Sequence, residues 1–93
     1  MDKVEAKKIL AEQLERYRKM THSELLKLMG QAQTMDIVGD SGEMYGLEFD
    51  VFWDNERERD LRVIGGIDDG GWRFLSPLSD DFIMREDGSF VGE

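Results

Sequence analysis

The hydrophobic period of this 93-residue chain changes once, near residue 34, from the three-to-four spacing of a helix to the alternation of a strand. Before the change, Ala6, Ile9, Leu10, Leu14 and Tyr17 fall on one stripe, which predicts an amphipathic helix from residue 2 to about 20. Glu12–Arg16 and Glu15–Lys19 have i,i+4 spacing with the acid first, the orientation that suits surface ion pairs. Thr21-His22-Ser23-Glu24 is a capping-box pattern, with Thr21 as N-cap and Glu24 at the third helical position. It opens a short second helix through Leu25, Leu26, Leu28 and Met29, and Gly30 stands where a helix ends on a left-handed residue. His22, at the first position of that helix, is expected to be exposed.

After the change, Met35 and Ile37 alternate with Asp36, and Gly39-Asp40-Ser41-Gly42 reads as a turn. The clearest strand follows, with Tyr45, Leu47, Phe49, Val51 and Trp53 on one face and Gly46, Glu48, Asp50 and Phe52 on the other. Asp54-Asn55-Glu56-Arg57-Glu58 is a charged loop, and a third strand carries Leu61, Val63, Gly65 and Ile67 inward. Asp69-Gly70 suits a two-residue type I′ turn, which would set Ile67 opposite Trp72 and Gly65 opposite Phe74. In that register the Phe74 ring lies across the bare backbone of Gly65. Ser76-Pro77 would end this fourth strand, and Glu86-Asp87-Gly88-Ser89 would turn a last short hairpin between Phe82-Ile83-Met84 and Phe90-Val91.

Helices first and strands afterwards predict an α+β fold. Two N-terminal helices pack on one face of an antiparallel β-meander of four to six strands. One domain over residues 1–93 is expected, with the helical pair at 2–30 and the sheet region at 34–93. A chain of this length buries only about 60–65% of its unfolded surface, so its core is thin.

Charge divides along the same boundary. The formal net charge is −9, made of +2 over residues 1–30 and −11 over residues 31–93, and every basic residue after Lys27 is an arginine. Phosphate binding needs a basic footprint, so nucleic acid is not the expected partner. No apolar run approaches the roughly 20 residues of a spanning helix, and MDKVEAKKIL has no apolar leader core. A cytoplasmic protein with no membrane partner is the default expectation.

The chain has no Cys and one His, which leaves few routes to catalysis. Asp68-Asp69, Asp80-Asp81 and Glu86-Asp87 all fall at expected turns or strand ends, where carboxylates can gather as oxygen ligands for calcium or magnesium. Their spacing matches no EF-hand loop, and Asp before Gly is what hairpin turns require for backbone reasons. Glu48 and Asp50 lie roughly 6.5–7 Å apart along one strand face, a separation that overlaps the one glycoside hydrolysis uses. A small meander offers no deep cleft to support such a pair. No serine lies in a nucleophile elbow and no glycine run forms a phosphate loop. No catalytic residue, cofactor or metal is therefore expected.

What remains is a surface. By alternation, Phe52, Ile64 and Leu75 share the outward face with Glu48, Asp50, Arg62 and Arg73. Three apolar residues on a charged face, with arginine as the only base, suit a docking surface for a basic protein. The segments Trp53-Asp54, Ile67-Asp68-Asp69-Gly70-Gly71, Ser76-Pro77-Leu78, Phe82 and Asp87-Gly88-Ser89-Phe90-Val91-Gly92-Glu93 resemble small uncharacterised bacterial proteins, domains of unknown function, over residues 44–93. That resemblance implies a fold type, no activity and no functional residues.

The expected function is a non-catalytic protein–protein interaction domain, in a sharper version an immunity-type inhibitor of a basic toxin. The alternative is a small metal-dependent hydrolase using Asp68, Asp69, Asp80 or Asp81. A monomer or a weak homodimer joined at an edge strand is expected.

Overall fold

The computed structural model describes residues 2–69 and 78–93. Helix α1 (Lys3–Arg18) begins at Asp2, whose side chain accepts the Glu5 N–H at 3.0 Å. Helix α2 (His22–Leu26) has both halves of the capping box: the Thr21 N–H donates to Glu24 Oε1 at 2.8 Å, and the Glu24 N–H donates to Thr21 Oγ1 at 3.1 Å. Gly30 closes the helical region at φ +78°.

Strands β1 (Gln33–Val38), β2 (Met44–Asn55), β3 (Asp60–Asp68) and β4 (Leu78–Met84) form one antiparallel sheet in sequence order. The fold is α+β, with four strands among the described residues. The β1–β2 turn closes through Gly39 N–H to Glu43 O at 2.8 Å and Gly42 N–H to Gly39 O at 2.9 Å, with Gly42 left-handed. The last turn closes through Gly88, also left-handed, and ends in a single bridge between Met84 and Phe90.

Alternation decides which side chains are buried. Tyr45, Leu47, Phe49 and Val51 of β2, Leu61, Val63 and Ile67 of β3, and Phe82 and Met84 of β4 form one core with Ala6, Ile9, Leu10, Leu14 and Leu25. The Tyr17 ring stacks on Phe49 with centroids 4.7 Å apart. Burying a side chain such as Phe49 contributes roughly 1.5–3 kcal/mol, so this short list supplies most of the stabilisation. Arg18 closes the far end of α1: its guanidinium lies 4.9 Å from the Phe82 and Phe90 ring centres and binds both Glu93 carboxylate oxygens.

Three expectations are corrected. Ile67 pairs with Leu78 and Gly65 with Asp80, so the strand beside β3 is Leu78–Met84 and a two-residue turn at Asp69-Gly70 does not set the register. Residues 72–76 and 78–84 both alternate, and the latter places Phe82 and Met84 inward and Asp81 beside Arg62. Trp72, Phe74 and Ser76-Pro77 lie outside the described residues. The ring over Gly65 is that of its β2 partner, Phe49.

The second correction concerns His22, which is buried, with Nε2 2.8 Å from the Arg59 carbonyl oxygen. A carbonyl only accepts, so Nε2 carries the hydrogen. Arg59 is left-handed (φ 62°), which belongs to the β2–β3 turn whose carbonyl caps the ring. Third, Arg16 bonds Gln13 Oε1 at 2.9 Å in place of Glu12, a shorter reach along the same helix face.

Candidate functional site

The second face of the sheet carries the alternate residues: Asp36 of β1, Gly46, Glu48, Asp50, Phe52 and Asp54 of β2, Arg62, Ile64, Gly66 and Asp68 of β3, and Asp81 of β4. Register sets Asp50 opposite Ile64, Phe52 opposite Arg62 and Glu48 opposite Gly66. Five of the residues singled out in the sequence, Glu48, Asp50, Phe52, Arg62 and Ile64, thus occupy one patch. Arg73 and Leu75 lie outside the described residues.

Gly46 and Gly66 leave a gap in the side-chain layer of this face. A cavity of about 470 Å³ opens above them, lined also by Asp36, Glu48, Asp50 and Ile64. At one end of the patch, Phe52 is 42% exposed, a large apolar side chain in a carboxylate-rich setting.

Arg62 is the one base on this face among the described residues, and it is held on two sides. Its Nε and Nη2 donate to Asp54 Oδ1 at 3.0 and 2.8 Å, and its Nη1 donates to Asp81 Oδ2. The hydrogen bond to Asp54 is the main reason its pKa rises above the ordinary arginine value, with burial pulling the other way. Arg62 stands opposite Phe52, so Asp54, two residues further along β2, is its diagonal neighbour on the same face, within reach of a long side chain. The sequence places Asp54 at the start of a charged loop, whereas β2 runs on to Asn55. Among the described residues, the carboxylates of Asp36, Glu48, Asp50, Asp54, Asp68 and Asp81 share the face with the Arg62 guanidinium, which engages Asp54 and Asp81.

The turn carboxylates of the alternative reading are spread out. Asp80 stands opposite Gly65 in the inward-pointing register, whereas Asp81 stands on the outer face paired with Arg62. The Asp81 N–H donates to Asp80 Oδ1 at 2.8 Å, which makes that carboxylate part of the local backbone structure. Among the described residues, no group of three or more His, Asp or Glu side chains is arranged to hold a metal ion.

Sequence reasoning missed a second polar cluster. Glu5, in the first turn of α1, accepts from Ser41 Oγ at 2.9 Å and from the Ser41 N–H at 3.3 Å, tying the helix to the β1–β2 turn. Beside it, the buried Tyr45 hydroxyl donates to Glu43 Oε2 at 3.0 Å. Burial, and then the Glu43 carboxylate, push the Tyr45 phenol well above its ordinary pKa. Glu5 and Ser41 are 36 residues apart, and no spacing rule links them.

No protein-family model, curated protein or solved structure matches the chain. No helix among the described residues is long and apolar enough to cross a membrane.

Proposed function

We propose that the protein is a non-catalytic, cytoplasmic interaction domain that binds a basic protein through the outer face of its sheet. In this reading the two N-terminal helices cover one side of the meander and leave the other for the partner. The observation that supports it is the outer face itself: Asp36, Glu48, Asp50 and Asp68 line a glycine-floored cavity, with Phe52 as an apolar anchor at the edge of the patch. A small acidic domain shielding the basic active site of a toxin, as an immunity-type inhibitor does, is the form of this function that fits the charge layout best. Electrostatic steering makes such an encounter fast and salt-sensitive.

Affinity capture from the protein's native cells, at low and high salt, tests the reading. A basic protein retained at low salt, released by salt and lost to a chain carrying Asp50→Lys and Phe52→Ser is the expected result. Capture of the same proteins by both chains, or of no basic protein, refutes it. Saturable binding of calcium, magnesium or manganese at Asp68, Asp69, Asp80 or Asp81 would favour the hydrolase alternative instead.

A further inference from the structure

The outer edge of β1, which adjoins the outer face at Asp36, carries its own recognition features. The Gly39 N–H bonds the Glu43 carbonyl, so Gly39 and Glu43 form a hydrogen-bonded pair, and the alternation of an antiparallel ladder gives Ile37–Tyr45, Met35–Leu47 and Gln33–Phe49 the same status. Thr34, Asp36 and Val38 therefore turn their backbone N–H and C=O groups away from β2. Strand order places β1 at one margin of the sheet, and among the described residues nothing pairs with those groups. The edge has no proline, no lysine and no bulge, the usual devices that block strand addition.

Beside that edge, on the helix side, a groove of about 210 Å³ runs between α1 and β1, with Ile9 and Ile37 as its apolar walls and Glu5, Lys8, Glu12 and Asp40 around them. Met35 and Ile37 point to this side and are only half-buried, although the matching residues of β2 and β3 are fully buried. On the opposite side, Asp36 is exposed and Val38 is 62% exposed.

We propose that the free edge of β1 accepts an extended segment of a partner protein as an added strand, with apolar side chains entering the groove beside Ile37 and a lysine or arginine opposite Asp36. Main-chain hydrogen bonds to Thr34, Asp36 and Val38 hold the segment, and the alternation of its side chains supplies selectivity. Charge decides between this occupant and a second copy of the chain. Antiparallel pairing of two β1 strands sets Asp36 directly opposite, or diagonally next to, Asp36 of the other copy, and like charges there are destabilising. Two chains each of net charge −9 also repel at a distance.

The test uses the full chain and an acetylated, amidated heptapeptide alternating lysine and isoleucine, with a glutamate–isoleucine peptide as its partner probe. Saturable binding of the lysine peptide, with slowed exchange of the Thr34, Asp36 and Val38 amides, is expected. Asp36→Lys should weaken it about fivefold, the scale of one cross-strand charge pair. Thr34→Pro removes an outward N–H while leaving the β1–β2 ladder intact, and should abolish the amide protection with little change in melting temperature. Equal binding of the glutamate peptide, unchanged exchange at these three amides, or both variants behaving as wild type overturns the proposal. So does a dimer of the chain alone that Thr34→Pro dissociates. Binding confined to the outer face overturns it too, yet leaves the function proposed above standing.

Discussion

Gly65 and Gly66 are neighbours in β3 that face opposite sides of the sheet, and replacing each by alanine should give opposite results. At Gly65 an added Cβ would lie 2.4 and 2.7 Å from two Phe49 ring carbons and 3.1 Å from Leu10 Cδ1. Phe49 has no room to retreat, because it is fully buried and stacked on Tyr17 at 4.7 Å. Overpacking a tight core costs about 1–3 kcal/mol. Alanine recovers roughly 0.5–1 kcal/mol of the conformational cost of a strand glycine, which leaves a net loss for Gly65→Ala centred on about 1 kcal/mol and at most about 2.5 kcal/mol. For a domain of this size a loss of about 1 kcal/mol lowers the melting temperature by roughly 4–8 °C. At Gly66 the nearest atom among the described residues is the Leu78 carbonyl oxygen at 3.8 Å, an ordinary contact. Gly66→Ala should therefore be neutral or stabilising by up to about 1 kcal/mol. Urea denaturation with an unchanged slope reads both. A Gly65→Ala chain as stable as wild type, or a Gly66→Ala chain less stable than Gly65→Ala, refutes the assignment of the Phe49 ring to the Gly65 backbone.

Three further outcomes follow from the same contacts. Burial raises the phenol pKa of both Tyr17 and Tyr45, so their contribution to stability is complete below the ordinary value of 10.0 and is lost as pH rises above it. Phenolate absorbance should then appear together with unfolding, and reversible ionisation of both tyrosines in the folded chain near pH 10.0 would contradict the burial. Glu24 is depressed below its ordinary 4.5, chiefly by the Thr21 N–H, so its contribution is present above that value and is lost as pH falls through the lower folded one. Glu24→Gln keeps the bond without the titration and should flatten the fall in stability below pH 4.5; an unchanged acid limb argues against the capping box. Arg18→Met should lose about 1 kcal/mol through its contacts with Phe82 and Phe90. An unchanged denaturation midpoint would place that energy elsewhere.

How far local pattern carries is clearest where two segments compete. The stripe Ala6–Ile9–Leu10–Leu14, the Thr21 capping box and the alternation of β2 each rest on spacing within a few residues, and each reappears in the structure. Turn chemistry at Asp69-Gly70 points to a β3 partner directly after it, whereas the observed partner, Leu78–Met84, is the one that buries Phe82 and Met84 in the core. The burial of His22 is not legible locally, because nothing near it in sequence announces the Arg59 carbonyl, 37 residues away. The outer face was legible as far as alternation reaches, to Glu48, Asp50, Phe52, Arg62 and Ile64. Its clamp was not, because the charged run that begins at Asp54 reads as a loop, whereas β2 extends through Asp54 to Asn55.

Two charge reversals of equal size separate recognition by the outer face from attraction by net charge alone. Asp50→Lys alters the outer face, and Glu15→Lys alters an exposed site on α1. The dissociation constant for the captured basic partner is measured with each at two salt concentrations. A weakening with Asp50→Lys that salt reduces, and little change with Glu15→Lys, is the expected result. Equal weakening by both would mean that net charge alone attracts the partner, and no weakening by Asp50→Lys would contradict recognition by the outer face.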